Sequence, residues 1–128
     1  MQYEYFYGAQ AEQFSFYRIP KALFTEPNFR ELSTDAKVLD GILLDRMSLS
    51  LKNQWLDAQN KVYIIFTVEE IMDALNCANQ KATRLMVELE KQAGLIERKR
   101  QGLGRPNLIY VKNFAATIND KSCEKGDS

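Results

Sequence analysis

Three features of this 128-residue sequence predict an α+β fold. The first is a helix over residues 79–93. Ala82, Leu85, Met86, Leu89 and Ala93 recur along it at helical spacing, while Gln80, Lys81, Arg84, Glu88 and Lys91 fall on the other side. The second is a hairpin directly after that helix: Gly94 supplies a helix end, and LIERKR and NLIYV are two extended segments joined by the turn-rich QGLGRP. The third is a shorter helix just before, with Val68, Ile71, Met72 and Leu75 on its apolar side and Asn76-Cys77-Ala78 as a brief turn. Two helices joined by a turn of about three or four residues make a helix-turn-helix. The added hairpin makes it a winged helix-turn-helix with a small antiparallel sheet.

Residues 1–13 are rich in Tyr, Phe and Gln without periodicity and read as an N-terminal arm, either loose or an edge strand. Phe14-Ser15-Phe16-Tyr17-Arg18-Ile19 carries aromatic and β-branched residues up to Pro20, which cannot donate to a ladder and so ends a strand or sits at its edge. Packing is the expected use of these aromatics, with a second subunit as another way to bury them. Residues 21–24 have room for one helical turn.

Ser33 or Thr34 caps the next helix. Asp35 meets its dipole, and Ala36, Leu39, Ile42, Leu43 and Met47 form its apolar stripe. SLKNQWLDAQNK is a polar corner around Trp55 and Leu56, with Trp55 expected as a core anchor. Lys61-Val62-Tyr63-Ile64-Ile65-Phe66 is a dense β-former run that can pair with the hairpin. Thr67 and Glu70 have the spacing of a capping box at the start of the short helix. Residues 14–114 thus form the domain, and the polar, aperiodic residues 115–128 read as a linker or tail.

Composition excludes much else. No apolar run approaches the roughly 20 residues of a membrane span, and the N-terminus has no signal-peptide pattern, so a cytoplasmic protein is expected. Cys77 and Cys123 are far apart and read as free thiols. Histidine is absent, which removes the commonest general base, the Ser-His-Asp arrangement and most zinc sites. GLGRP has no GK[ST] and opens no helix, so it is a turn and not a phosphate loop. Asp40 and Asp45, and Glu69 and Glu70, are assigned to solvated helix faces. No catalysis, cofactor or metal is expected.

The formal net charge of zero conceals a division. Residues 1–76 hold 7 basic and 11 acidic side chains, residues 77–114 hold 8 and 3, and residues 115–128 hold 2 and 3. A basic segment beside acidic helices directs a polyanion to one surface. The N-terminal part of the second helix enters the major groove in helix-turn-helix proteins, which here offers Asn79, Gln80, Lys81, Thr83 and Arg84. Arg and Lys suit guanine, Asn and Gln suit adenine, and Thr suits a base or a phosphate. In the wing, Arg98, Lys99, Arg100 and Arg105 are the candidate clamp. Arg105 sits beside the turn and is suited to the minor groove, and the others to phosphates.

The blocks FYRIPKALF, LSTDAKVLDGILLDRMSLS, NQW, VYIIFT, KAT and GLIERKRQGLGRPNLIYVKNF, spanning residues 14–114, resemble the N-terminal domain of RepA-type plasmid replication initiators (RepA_N) of Gram-positive bacteria. The resemblance implies a winged-helix domain that binds repeated sites of double-stranded DNA at a plasmid replication origin, usually as a homodimer. It further implies an absent C-terminal domain that contacts host replication proteins. Lys81 and Arg84 fall on the implied recognition helix, and Arg98, Lys99, Arg100 and Arg105 on the wing. Two other readings suit the same residues: a winged-helix transcriptional repressor, and a protein-interaction module whose basic hairpin meets an acidic partner.

Overall fold

A computed structural model describes residues 2–8 and 14–115. The order is α1 (Ala22–Thr25), a 3-10 turn (Pro27–Phe29), α2 (Thr34–Lys52), α3 (Val68–Leu75), α4 (Asn79–Val87) with a π-helical extension (Glu88–Gln92), then β1 (Ile96–Lys99) and β2 (Leu108–Val111). Helices α3 and α4 form the helix-turn-helix, and β1 and β2 pair antiparallel as the wing, with Ile96 opposite Val111 and Lys99 opposite Leu108. This is a winged helix.

The core lies where these elements meet. Leu39 and Leu43 of α2, Ile71 of α3, Leu85 and Leu89 of the long helix, and Leu95, Ile96 and Ile109 of the wing are all buried. Such side chains each contribute about 1.5–3 kcal/mol on burial. Ser33 caps α2 by accepting from the Ala36 amide at 3.2 Å. The capping box of α3 is complete: Thr67 Oγ1 accepts from Glu70 N at 3.2 Å, and Glu70 Oε1 accepts from Thr67 N at 2.9 Å. Gly94, at φ +67°, ends the long helix, and the Leu95 amide reaches back to the Leu89 carbonyl at 2.8 Å.

The β-former run 61–66 makes single bridges in place of a strand. Val62 pairs with Leu56, and Ile64 exchanges two 2.9 Å hydrogen bonds with Ile109, which gives the wing a third, one-residue neighbour. The first of these bridges closes a small hairpin, with Gln54 and Asn60 at positive φ, on the outside of the molecule. Trp55 therefore is no core anchor. It is 43% exposed and stacks on Tyr63 with ring centroids 6.3 Å apart.

Two further expectations are corrected. Residues 14–19 form no strand, and Phe14, Phe16 and Tyr17 stay more than half exposed where the segment crosses α2. Gly41 makes that crossing possible: a Cβ there would stand 2.8 Å from Ile19 Cγ1 and 3.1 Å from the Arg18 carbonyl oxygen. Asp40 is not on a solvated face. It is 1% exposed, neither carboxylate oxygen has a hydrogen-bond partner, and burial pushes its pKa up to about 7. The reason is that α2 is covered on more sides than one apolar stripe requires, with Lys37, Asp40, Gly41 and Ser50 buried besides the leucines. Asp45 and Glu69 are exposed as expected, while Glu70 is spent in the capping box. Cys77 is a half-buried free thiol, and Cys123 lies outside the described residues.

Candidate nucleic-acid interface

Helix α4 begins differently from α3. Its N-cap is Ala78, with no side-chain cap and no acidic residue in the first turn. Orphan backbone amides at a helix start need acceptors, and here no cap or acidic first-turn side chain supplies one. Asn79 and Gln80 stand exposed at this end.

The polar residues of the helix divide into two groups. Gln80, Thr83, Arg84 and Val87 are exposed at i, i+3, i+4 and i+7 and form one continuous outward stripe. Lys81 and Glu88 lie on the flank that faces α2. Lys81 Nζ is 2.6 Å from Asp35 Oδ2, and Glu88 is 7% exposed, accepting from Ser33 N and from Ser33 Oγ, both at 2.9 Å. The expectation that Glu88 lies on the outer side is thus corrected. The N-terminus of α2 presents orphan amides and a positive dipole end, and a carboxylate is the group that satisfies both. From Glu88 onward the helix widens, with the Ala93 amide bonded to the Glu88 carbonyl at 3.0 Å, so the 3.6-residue period no longer describes the faces beyond it.

The wing divides its cations in the same way. Along β1, Ile96 and Arg98 turn inward while Glu97 and Lys99 turn out. Arg98 is held by Glu90: Nε donates to Oε1 at 2.8 Å, Nη2 lies 2.8 Å from the same oxygen, and the Arg98 amide donates to Oε2 at 3.3 Å. Burial raises the pKa of Glu90, but the Arg98 bonds and charge outweigh it and hold the carboxyl below its usual range. Lys99, Arg100 and Arg105 are exposed, and like Arg84 they have no hydrogen bond or ion pair through their side chains among the described residues. A cleft lined by Met86 of α4 and by Arg98, Arg105 and Pro106 lies between the wing and α4.

On its outer face the wing is braced by the 53–62 corner. Tyr110 donates from its hydroxyl to Asp57 Oδ2 at 3.0 Å, and Lys61 Nζ stands 5.9 Å from the Tyr110 ring centroid. The backbone amides of Lys61 and Gln59 also donate to Asp57, and they hold its pKa down against a smaller opposing effect of burial.

Of the nine residues singled out in the sequence, the structure brings Asn79, Gln80, Thr83 and Arg84 together on the exposed side of α4 and leaves Lys99, Arg100 and Arg105 open on the wing. Lys81 and Arg98 are engaged within the fold. Val87, 39% exposed in the outward stripe, was not singled out, although its place seven residues after Gln80 marks the same face. The open N-terminus of α4 was legible too, as an alanine where α3 has a threonine.

Among the described residues no helix is long and apolar enough to cross a membrane. A family profile described as "Replication initiator protein A (RepA) N-terminus" matches residues 15–125. A "41 kDa protein" of Lactobacillus helveticus is 30% identical over 103 residues, covering 80% of this chain and 28% of that protein, so the chain spans little more than a quarter of that relative's length. Among solved structures, one described as "N-Terminal domain of DNA binding protein" is similar with a TM-score of 0.73 at 35% identity, covering 99% of this chain and 98% of the other. "Structure of Rep-DNA complex" is similar at 0.72 and 35%, covering 98% of both chains, and "Structure of MDR initiator" at 0.71 and 38%, covering 98% and 99%. The chain belongs to the family of replication initiator protein A (RepA) N-terminal domains.

Proposed function

We propose that this chain is the origin-reading part of a plasmid replication initiator: it binds repeated double-stranded sites sequence-specifically and performs no catalysis itself. The observation that carries this reading is the pairing of an outward polar stripe on α4 with a wing whose cations are open, Arg105 among them lining a cleft that Met86 of α4 shares. Gln80 and Arg84 supply hydrogen-bonding ends suited to adenine and guanine, Thr83 suits a base or phosphate, and Val87 suits a thymine methyl. Asn79 and the uncapped amides of α4 take a phosphate at the groove edge. Lys99 and Arg100 hold phosphates and set register, and Arg105 turns toward the minor groove. Lys81 and Arg98 serve the reading surface indirectly, by fixing α4 on α2 and the base of the wing on the end of the long helix. The likeness to a chain described as part of a Rep-DNA complex supports the same assignment.

Repeated sites suit a two-fold protein, and the exposed aromatics of the N-terminal region are the proposed contact between copies. Phe6, Phe14 and Phe16 already meet edge to face, with centroids 6.0 and 6.2 Å apart, yet each stays more than half exposed. Host replication proteins are then engaged by a part of the initiator outside residues 14–114. A gel-shift titration of origin repeats against scrambled duplexes tests the DNA reading, and equal affinity for both defeats it. Sedimentation at micromolar concentration tests the dimer, which a monomer there contradicts.

A further inference from the structure

Leu103, at the tip of the wing, is 96% exposed. A single exposed leucine is ordinary on a protein surface, and this one is set apart by its mounting. It stands between Gly102, at φ +126°, and Gly104, at φ +78°. At either glycine an added Cβ would meet nothing within 4 Å, so the positive φ, not crowding, favours glycine there. The result is a tip whose one apolar side chain has a glycine on either side. The turn is held in shape below that side chain: the Arg105 amide donates to the Gly102 carbonyl at 3.2 Å, and Gln101 Nε2 donates across the arms to the Pro106 carbonyl at 2.7 Å. Arg100 and Arg105 flank it, exposed and without side-chain partners among the described residues.

A narrow apolar tip with cations at its shoulders fits a slot with anionic walls and a less polar floor. The DNA minor groove, about 6 Å wide, is such a slot, and proteins that enter it with a leucine or similar wedge partly unstack a base step. We propose that Leu103 is an apolar wedge that enters the minor groove beside the site read by α4, with Arg105 alongside it, and that it makes binding depend on how easily the flanking step deforms. This rests on the duplex-binding reading above. Flexible pyrimidine-purine steps yield most readily, so the wedge prefers a TA step to a G·C flank. Sequence would then be read at positions that α4 does not reach.

The test uses the full chain and duplexes that keep one origin half-site constant while the wing-side flank is TA or GC. A 2-aminopurine replaces the adenine of the TA step. The parent is expected to bind the TA flank about tenfold more tightly, equivalent to about 1.4 kcal/mol, with a rise in 2-aminopurine fluorescence at saturation. Leu103→Ser should reduce the flank preference to about twofold and abolish the rise, yet still prefer the half-site to scrambled DNA. Leu103→Met should retain both signals. Should Leu103→Ser keep the flank preference and the fluorescence rise, or the parent show neither while still preferring the half-site, the wedge is overturned and duplex reading stands. A parent that binds half-site and scrambled DNA equally overturns both.

Discussion

The base and the tip of the wing are built from the same residue types and put them to opposite uses. At the base, Arg98 is three-quarters buried and spends its guanidinium on Glu90, while nearby Glu88 satisfies Ser33 at the start of α2. At the tip, Arg100 and Arg105 have no hydrogen bond or ion pair through their side chains among the described residues, and Leu103 is 96% exposed. The difference shows that charge in a sequence segment is not yet charge on a surface. Of the eight basic residues in 77–114, Arg98 is largely buried in its ion pair and Lys81 and Lys112 are ion-paired at the surface, while Arg84, Lys99, Arg100 and Arg105 are left open to a polyanion.

If the scaffold and the reading face are separable, variants in each should fail in different assays. The largest effect belongs to Asp40, the scaffold's unpaired carboxyl. Its folded pKa, about 7, lies above the ordinary carboxyl value of 3.8 that serves for the unfolded chain, so the fold holds a proton that the unfolded chain releases. The contribution of Asp40 to stability is therefore full below about pH 4, falls as pH rises toward 7, and levels off above it, a span of about 4 kcal/mol at most. Asp40→Asn should remove that slope, as thermal unfolding at pH 4 and pH 8 would record, with DNA affinity at pH 8 preserved. Next, Glu88→Ala leaves Ser33 without its acceptors and should cost about 2–3 kcal/mol in denaturant unfolding, again without a specific change in base preference. Arg84→Ala should do the reverse. Its melting temperature stays at the parent value, and cognate binding weakens by about 1–3 kcal/mol with preference relaxed at one base. Lys99→Ala is the smallest: binding to every sequence should weaken slightly, and the slope of log affinity against log salt should shrink by about 1.

Much of this arrangement was legible in the chain, and what escaped was non-local. The apolar face of Leu85, Met86 and Leu89, the Thr67–Glu70 box and the Gly94 stop are set by neighbours within one or two turns, and all stand as expected. The partners of Glu88 and Lys81 lie on α2 or at its cap, far away in sequence, and no periodicity along α4 distinguishes a solvated flank from one docked on another helix. Arg98 could be placed on one of two strand faces by alternation, but the carboxylate that claims it comes from the preceding helix after its register has shifted. Trp55 and Asp40 failed for complementary reasons. Residue type argued for burying the tryptophan and exposing the aspartate, while the outlying 53–62 hairpin and the enclosure of α2 decided otherwise.

The function proposed for this chain depends on the open stripe of α4 and the open cations of the wing acting as one DNA-reading surface. The decisive measurement is the affinity of the parent chain for an origin repeat and for a scrambled duplex, each titrated at about 50 mM and about 200 mM salt. The repeat should bind more tightly at both, and both affinities should fall steeply with salt as counterions are released. Equal affinities for the two duplexes, or binding indifferent to salt, would contradict it.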